Sequence, residues 1–271
     1  MTLTDEVVAS FATTPDPRTR QLVGRLVAHR HAYAREVALT FDEWRAAIEF
    51  LTRAGQMSGP TRQELILLSD VLGLSMLVEE LAQRDVAATD ATVLGPFYVG
   101  EHRPLPNGAS IADGMAGEPL LVETTIRDTA GAPIAGATAD VWHADADGFY
   151  DSQKAGYALD RPSLRARFTS DADGKLWFRT IVPCSYPIPT DGPVGDLLRA
   201  TNRHAMRPAH IHFYIRAPGK APLVTHVFVA GDSYLKSDAV FGVKPSLVAP
   251  LETDANGSSR LAYDFVLGGA A

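Results

Sequence analysis

Two histidines in this chain, His210 and His212, are spaced for shared chemistry. They stand in Arg207-Pro208-Ala209-His210-Ile211-His212-Phe213-Tyr214-Ile215, whose branched and aromatic residues predict a β-strand with Pro208 at its start. Side chains two apart in a strand share a face, so the imidazoles project together from Cα atoms ~6.6 Å apart and can both reach one metal ion. Imidazole is the commonest metal ligand, yet two histidines alone do not fix a metal, and a pair of hydrogen-bonded core histidines fits the same spacing. No Glu follows within a few residues, as a cupin site requires, and the cysteines of a zinc finger are missing. The neighbourhood offers tyrosine instead. Tyr150 follows the turn Asp145-Ala146-Asp147-Gly148, and Tyr186 sits in the proline-rich stretch Ile181 to Pro189. Each, taken alone, also reads as a packed aromatic with its hydroxyl bonded to backbone. Alternation nominates Tyr214 as well, so periodicity does not choose among the tyrosines.

The elements that must position these residues change type along the chain. Residues 1 to about 90 carry helical signals. Asp16-Pro17 reads as an N-cap with Pro at the first helical position. Thr40-Phe41-Asp42-Glu43 is a capping box, followed by the apolar stripe Phe41, Trp44, Ile48 and Leu51. Thr61-Arg62-Gln63-Glu64 reads as a second capping box, opening one helix that is apolar nearly all round from Leu65 to Leu81, and so buried in the core or at a subunit interface. Asp70 is the acid that interrupts it, and its plainest reading is a partly exposed or capping carboxylate. From Leu94-Gly95-Pro96-Phe97-Tyr98 the spacing becomes strand-like. Strands are expected at 120–127, 137–143, 164–169, 175–182, 211–216, 223–229 and 261–267, with Ser170-Asp171-Ala172-Asp173-Gly174 as a hairpin signature. The fold expected is α+β: an N-terminal helical region over residues 1–92 joined to a mainly-β sandwich over residues 93–271.

Composition narrows the function classes. Of 271 residues 46% are hydrophobic and 21% charged, as in ordinary globular chains. A net charge of −7 and the lack of a basic run argue against nucleic acid as a partner. No apolar run is long enough to span a membrane. The acidic start lacks the features of a signal peptide and Cys184 is the only cysteine, so a reducing cytoplasm is the expected location.

Three segments settle the choice of partners for the histidines. Val141-Trp142-His143-Ala144-Asp145-Ala146-Asp147-Gly148-Phe149-Tyr150, Phe178-Arg179-Thr180-Ile181-Val182-Pro183 through Tyr186, and Arg207-Pro208-Ala209-His210-Ile211-His212 resemble, in order, the intradiol ring-cleavage dioxygenases. Leu94-Gly95-Pro96-Phe97-Tyr98 fits the same pattern, and the resemblance runs from about Thr40 to Leu267. It implies non-haem Fe(III) held by Tyr150, Tyr186, His210 and His212 with a water or hydroxide. The chemistry agrees, since ferric iron is hard and phenolate is a hard donor. Two phenolates and a hydroxide also cancel its three charges in a buried site. By the family's pattern the catechol-type diol is the activated partner. Tyr186 and the hydroxide leave and take its protons, Tyr150 and the histidines stay, and Arg207 stabilises negative charge on the substrate. Strict alternation puts Arg207 opposite His210, so Pro208 must break the pleat.

Leu68 to Met76 and Tyr186 to Gly195 resemble the hydroxyquinol branch of that family more than the catechol enzymes. The implied pocket comprises Leu67, Asp70, Val93, Leu94, Gly95, Pro96, Phe97, Ile188, Pro189, Arg207 and Val240. The implied reaction inserts both atoms of O2 into benzene-1,2,4-triol, cleaving between the vicinal hydroxyl carbons to give maleylacetate. The alternative is a catechol or chlorocatechol 1,2-dioxygenase. A zinc hydrolase and a non-catalytic β-sandwich binding module stay open as rival classes. The resemblance further implies a homodimer through the N-terminal helices, with phospholipid at its interface.

Overall fold

Capping chemistry opens the N-terminal helices. In the computed structural model, which describes residues 1–59, 62–83, 85–100, 102–154, 162–253 and 258–270, α1 spans Leu3–Ala9, α2 Pro17–Glu36 and α3 Phe41–Met57. The Asp16 carboxylate accepts from the Arg18 and Thr19 amides. Thr40 and Glu43 close the capping box reciprocally, at 2.9 and 3.3 Å. The chain divides into two compact units, residues 1–56 and 57–271. In the first, Ala54 is the one buried residue of the three helices. Phe41, Trp44, Ile48 and Leu51 are exposed, and the last three line a groove of about 700 Å³ against α2 with Tyr33 and Val37.

The second unit begins with a helix pair where one helix was expected. α4 spans Glu64–Val71 and α5 Leu74–Ala82, divided at Gly73, whose φ of +75° is left-handed and ends the first helix. Leu65, Ile66, Leu72, Leu74, Leu77, Val78 and Leu81 are exposed in this chain. The capping box expected at Thr61 falls outside the described residues. Instead Glu64 is buried, pairs with Arg62, and accepts the Val194 amide at 3.0 Å, which ties α4 to α6 (Pro193–Ala200).

Eleven strands follow among the described residues: β1 (Pro119–Asp128), β2 (Thr138–Trp142), β3 (Arg165–Thr169), β4 (Lys175–Ile181), β5 (Tyr186–Pro187), β6 (Met206–Arg207), β7 (His210–Arg216), β8 (Leu223–Val229), β9 (Val248–Ala249), β10 (Leu251–Thr253) and β11 (Ser259–Leu267). They form a four-stranded sheet, β10-β11-β1-β4, a five-stranded sheet, β3-β2-β7-β8-β9, and the short pair β5-β6. The two larger sheets sandwich one core, with Phe168 stacked on Phe178 at 5.0 Å and Phe213 against Phe265 at 4.8 Å. The Ser170–Gly174 turn differs from expectation. Its flanking strands β3 and β4 lie in opposite sheets, so the turn crosses the sandwich instead of closing a hairpin. Local turn chemistry sets the reversal, not the sheet each arm joins.

The core takes Ile211, Phe213 and Ile215 of β7. By the two-residue period His210, His212 and Tyr214 therefore point to the opposite, outer face of the five-stranded sheet. No helix among the described residues is long and apolar enough to cross a membrane.

Candidate active site

On that outer face four donor atoms close a ring. The Tyr150 Oη lies 3.0 Å from the Tyr186 Oη and 3.0 Å from the His212 Nε2. The His210 Nε2 lies 3.2 Å from the His212 Nε2 and 3.3 Å from the Tyr186 Oη. All four residues are buried. Two donors each ~2.1 Å from a common ion, at angles between 90° and tetrahedral, stand about 3.0–3.4 Å apart. The observed separations match that range.

Each donor has a local cause. β7 delivers the histidines by alternation, and His210 donates from Nδ1 to the Pro208 carbonyl at 2.6 Å, which leaves the Nε2 lone pair facing the ring. Trp142, the cross-strand neighbour of His212, stacks on it at 4.6 Å and 13°. Tyr150 follows the Asp145 turn, whose carboxylate accepts from the Asp147 and Phe149 amides. Gly148 in that turn has φ +86°, and a Cβ there would stand 2.8 Å from the Tyr186 Cβ, so only glycine lets the two tyrosine segments approach. Phe97 stacks on Tyr150 at 4.4 Å. Tyr186 is fixed by β5, which pairs it with Arg207 on β6.

Without a cation this arrangement is electrostatically neutral. Burial pushes both phenols up, Tyr150 well above the ordinary range and Tyr186 less because the Arg207 charge opposes it. Burial first holds His210 and His212 well below the usual imidazole range, helped at His210 by the Arg207 charge and at His212 by the crowding of the His226 and His210 rings. The histidines are thus free bases ready to ligate. The phenols need a strong cation to ionise, as metal ions do for bound water. The donor set fits a hard trivalent metal ion: two oxygens that become anionic and two neutral imidazole nitrogens.

Beside the ring lies Arg207. The chain leaves the ladder at Pro208 and Ala209, between β6 and β7, and this break brings the Arg207 Nη1 to 3.3 Å from the His210 Nε2. Asp238 holds the guanidinium from the far side, 3.1 Å from Nε and 3.3 Å from Nη2. Both partners are buried; burial alone would lower the Arg207 pKa, but the Asp238 carboxylate and the neighbouring phenols outweigh it and raise the pKa.

The expected pocket residues are distributed unevenly. Leu67, Ile188 and Val240 share one apolar cluster with Val71, Val194, Leu198 and Ala239. Asp70 is 3% exposed and its Oδ1 has no hydrogen-bond partner, which removes the exposed or capping reading. Burial pushes its carboxyl up, against the Ser75 hydroxyl and the Arg207 charge. Gly95 comes so close to His212 that a Cβ would stand 3.3 Å from its Cε1. Val93 is buried, Leu94 and Pro96 are exposed, and Pro189 is half-buried. Tyr214 stays outside the ring and packs edge-on to Tyr98 at 5.7 Å.

Two residues escaped the sequence reading. His226 is the cross-strand neighbour of His212, its ring centroid 4.1 Å away, and forms a three-histidine cluster with His210 and His212. Its Nδ1 bonds the Thr92 hydroxyl, and its buried Nε2 has no partner. Strand pairing, which one sequence does not state, is the signal that would have found it. Asp238 lies in an irregular loop with no periodic signal at all.

Comparison with known proteins agrees with this geometry. Residues 93–269 match the family model described as dioxygenase, and residues 16–90 the one described as catechol dioxygenase N terminus. The chain is 51% identical to 6-chlorohydroxyquinol 1,2-dioxygenase of Cupriavidus pinatubonensis, covering 98% of this chain and 96% of the relative. It is 48% identical to hydroxyquinol 1,2-dioxygenase of Nocardioides simplex, covering 98% and 94%. The crystal structure of hydroxyquinol 1,2-dioxygenase from Pseudomonas putida superimposes with a TM-score of 0.92 at 44% identity, over 99% of this chain and 98% of that one. With two phenols and two imidazoles converging on one point and matches over nearly its whole length, the chain belongs to the intradiol ring-cleavage dioxygenases.

Proposed function

We propose that the chain is a hydroxyquinol 1,2-dioxygenase, cleaving benzene-1,2,4-triol with O2 between its vicinal hydroxyl carbons to give maleylacetate. The observation that carries the reading is the four-donor ring of Tyr150, Tyr186, His210 and His212, assigned here as ligands of Fe(III). Ferric iron bound there would supply Lewis acidity that acidifies an ortho-diol and makes it reactive toward O2. Tyr186 accepts a proton from the entering diol at its Oη, while Tyr150, stacked under Phe97, stays in place. Arg207, held by Asp238, offsets negative charge that develops on the substrate. Asp70 accepts a hydrogen bond from the third hydroxyl, which catechol lacks. Leu67, Ile188 and Val240 form the apolar wall beside it, and Val93, Leu94, Gly95, Pro96, Phe97 and Pro189 complete the pocket. Residues 1–92 serve as the dimerisation region of a cytoplasmic homodimer. The exposed stripe of α3 and the groove beside it suit the partner subunit with phospholipid acyl chains.

The test is metal analysis, the visible spectrum and oxygen uptake with both substrates. About one iron per chain, a wine-red tyrosinate-to-iron band and higher kcat/KM for hydroxyquinol than for catechol are expected. Stoichiometric zinc in a colourless protein overturns the dioxygenase chemistry. A red protein that prefers catechol overturns the substrate alone.

A further inference from the structure

Arg203, seven residues before the first ligating histidine, takes no part in the chemistry above, yet it touches both walls of the pocket. Its Nη1 donates to the Val71 carbonyl at 2.6 Å and its Nη2 to the Ala239 carbonyl at 3.0 Å. Val71 is the last residue of α4 and follows Asp70 directly. Helix-end carbonyls have no partner within the helix, so Arg203 caps α4 where Asp70 must be held still. Ala239 lies between Asp238, which grips Arg207, and Val240, which packs with Leu67 and Ile188. One guanidinium therefore joins the wall that carries Asp70 to the loop that carries Asp238 and Val240.

Phe241 completes the arrangement. The Arg203 Cζ lies 4.9 Å above its ring centroid, within range of a cation–π attraction. Phe241 has φ +58°, an uncommon conformation for a bulky residue. Its ring also lies against Gly73, where a Cβ would stand 3.6 Å from the Phe241 Cδ2. Arg203, Asp238, Ala239 and Phe241 all line an outer cavity of about 430 Å³. The loop 238–241 is thus a partition. Asp238 and Val240 serve the reaction pocket, and Ala239 and Phe241 are held from the other side by Arg203.

We propose that Arg203 is a positioning residue for substrate selection. It fixes the distance between Asp70 and the Asp238–Val240 loop without touching the metal ligands. Its planar fork satisfies two carbonyls at once, which the single ammonium of lysine cannot do in the same geometry. The inference rests on the reading that Asp70 recognises the third hydroxyl.

The experiment uses full-length Arg203→Met and Arg203→Lys, each in wild type and in Asp70→Ala. Both variants should keep the resting iron content and visible band. Arg203→Met should lower the hydroxyquinol-to-catechol preference about tenfold, chiefly by raising KM for hydroxyquinol, and Arg203→Lys about threefold. Added to Asp70→Ala, either change should move the ratio by less than about twofold, because the two residues act on one contact. An unchanged ratio in iron-replete Arg203→Met, or an equal fall on both backgrounds, overturns the proposal. Should Arg203→Met not fold, Arg203→Lys is decisive, and an unaltered preference overturns it. Should Asp70→Ala alone leave the ratio unchanged, the substrate reading fails. Arg203 is then judged on the other wall, by pairing Arg203→Lys with Val240→Ala and reading KM for catechol. Coupling above about threefold upholds the clasp, and additivity overturns it.

Discussion

The donor ring and the wall around Asp70 are built by different means. The ring hangs on sheet backbone: His210 and His212 on a central strand of a five-stranded sheet, Tyr186 on the β5-β6 pair. All four ring residues are buried, and stacked rings from Trp142 and Phe97 brace them. The wall comes from an eight-residue helix ended by a left-handed glycine, and from the irregular loop 238–241. Side chains hold that wall: Glu64 at the start of α4, Arg203 at its end. Ladder hydrogen bonds survive the loss of any one side chain, whereas a helix end capped by one guanidinium does not. Reactivity should therefore be stiff to mutation outside the ring and the Arg207 guanidinium beside it, and selectivity soft.

The largest effect expected is at the ring itself. Tyr150→Phe removes one of four donors and one anionic charge, so the variant should lose iron or become much paler. Its kcat/KM should fall by roughly 10³-fold or more, as when one member of a group acting as a unit is removed. Metal analysis beside steady-state kinetics checks this. Full colour with full activity would remove Tyr150 from the ring and blur the contrast with the wall. Arg207→Lys comes next. It keeps a charge but loses the fork that spans Asp238 and faces His210, so kcat should fall roughly 10²–10³-fold with iron retained. Loss of iron instead would make Arg207 part of the ring's support.

Asp70→Ala tests the wall. Hydrogen bonds to charged groups contribute ~1.5–3 kcal/mol, so the hydroxyquinol preference should drop roughly tenfold to over a hundredfold, with colour unchanged. The drop should come from lost activity on hydroxyquinol. Equal losses on hydroxyquinol and catechol would mean that Asp70 supports the pocket without recognising the third hydroxyl.

The same division governs how much could be read from the sequence. Seven of the strands, the caps at Asp16 and Thr40 and the His210–His212 pair follow from local rules, and those seven strands end within two residues of expectation, whereas the short strands β5, β6, β9 and β10 were not expected. Alternation alone put Arg207 on the face opposite His210; its place beside the histidines came from the family's pattern, which required the break at Pro208 that the chain shows. The tyrosines were beyond periodicity, because Tyr150 reaches the ring from a loop and Tyr186 from the two-residue strand β5, while Tyr214, on the favoured alternation, does not. Their choice came from family resemblance. His226 and Asp238 lay hidden for a related reason. Cross-strand register and loop closure join residues 14 and 31 positions away from His212 and Arg207, and no window along the chain contains that information.

The smallest expected effect concerns the helix break that the sequence reading missed. A single helix through Leu72 and Gly73 would carry α4 on into α5 and leave no end for Arg203 to cap. Gly73 prevents this with φ +75°, and the space around it is ample, since an added Cβ would meet Phe241 at an ordinary 3.6 Å. The cost of a side chain there is conformational. An alanine held left-handed loses about 1–2 kcal/mol, so Gly73→Ala should lower Tm by roughly 2–8 °C. Asparagine tolerates that conformation better, so Gly73→Asn should lose about half as much. If the turn holds in both, iron content stays full and the hydroxyquinol preference shifts by less than about twofold. Thermal unfolding and the two-substrate ratio together decide the outcome. Equal Tm values for the two variants would show that backbone strain does not set the break. A large fall in preference with little change in Tm would show that α4 had run on into α5 and carried Asp70 with it, making the wall softer still.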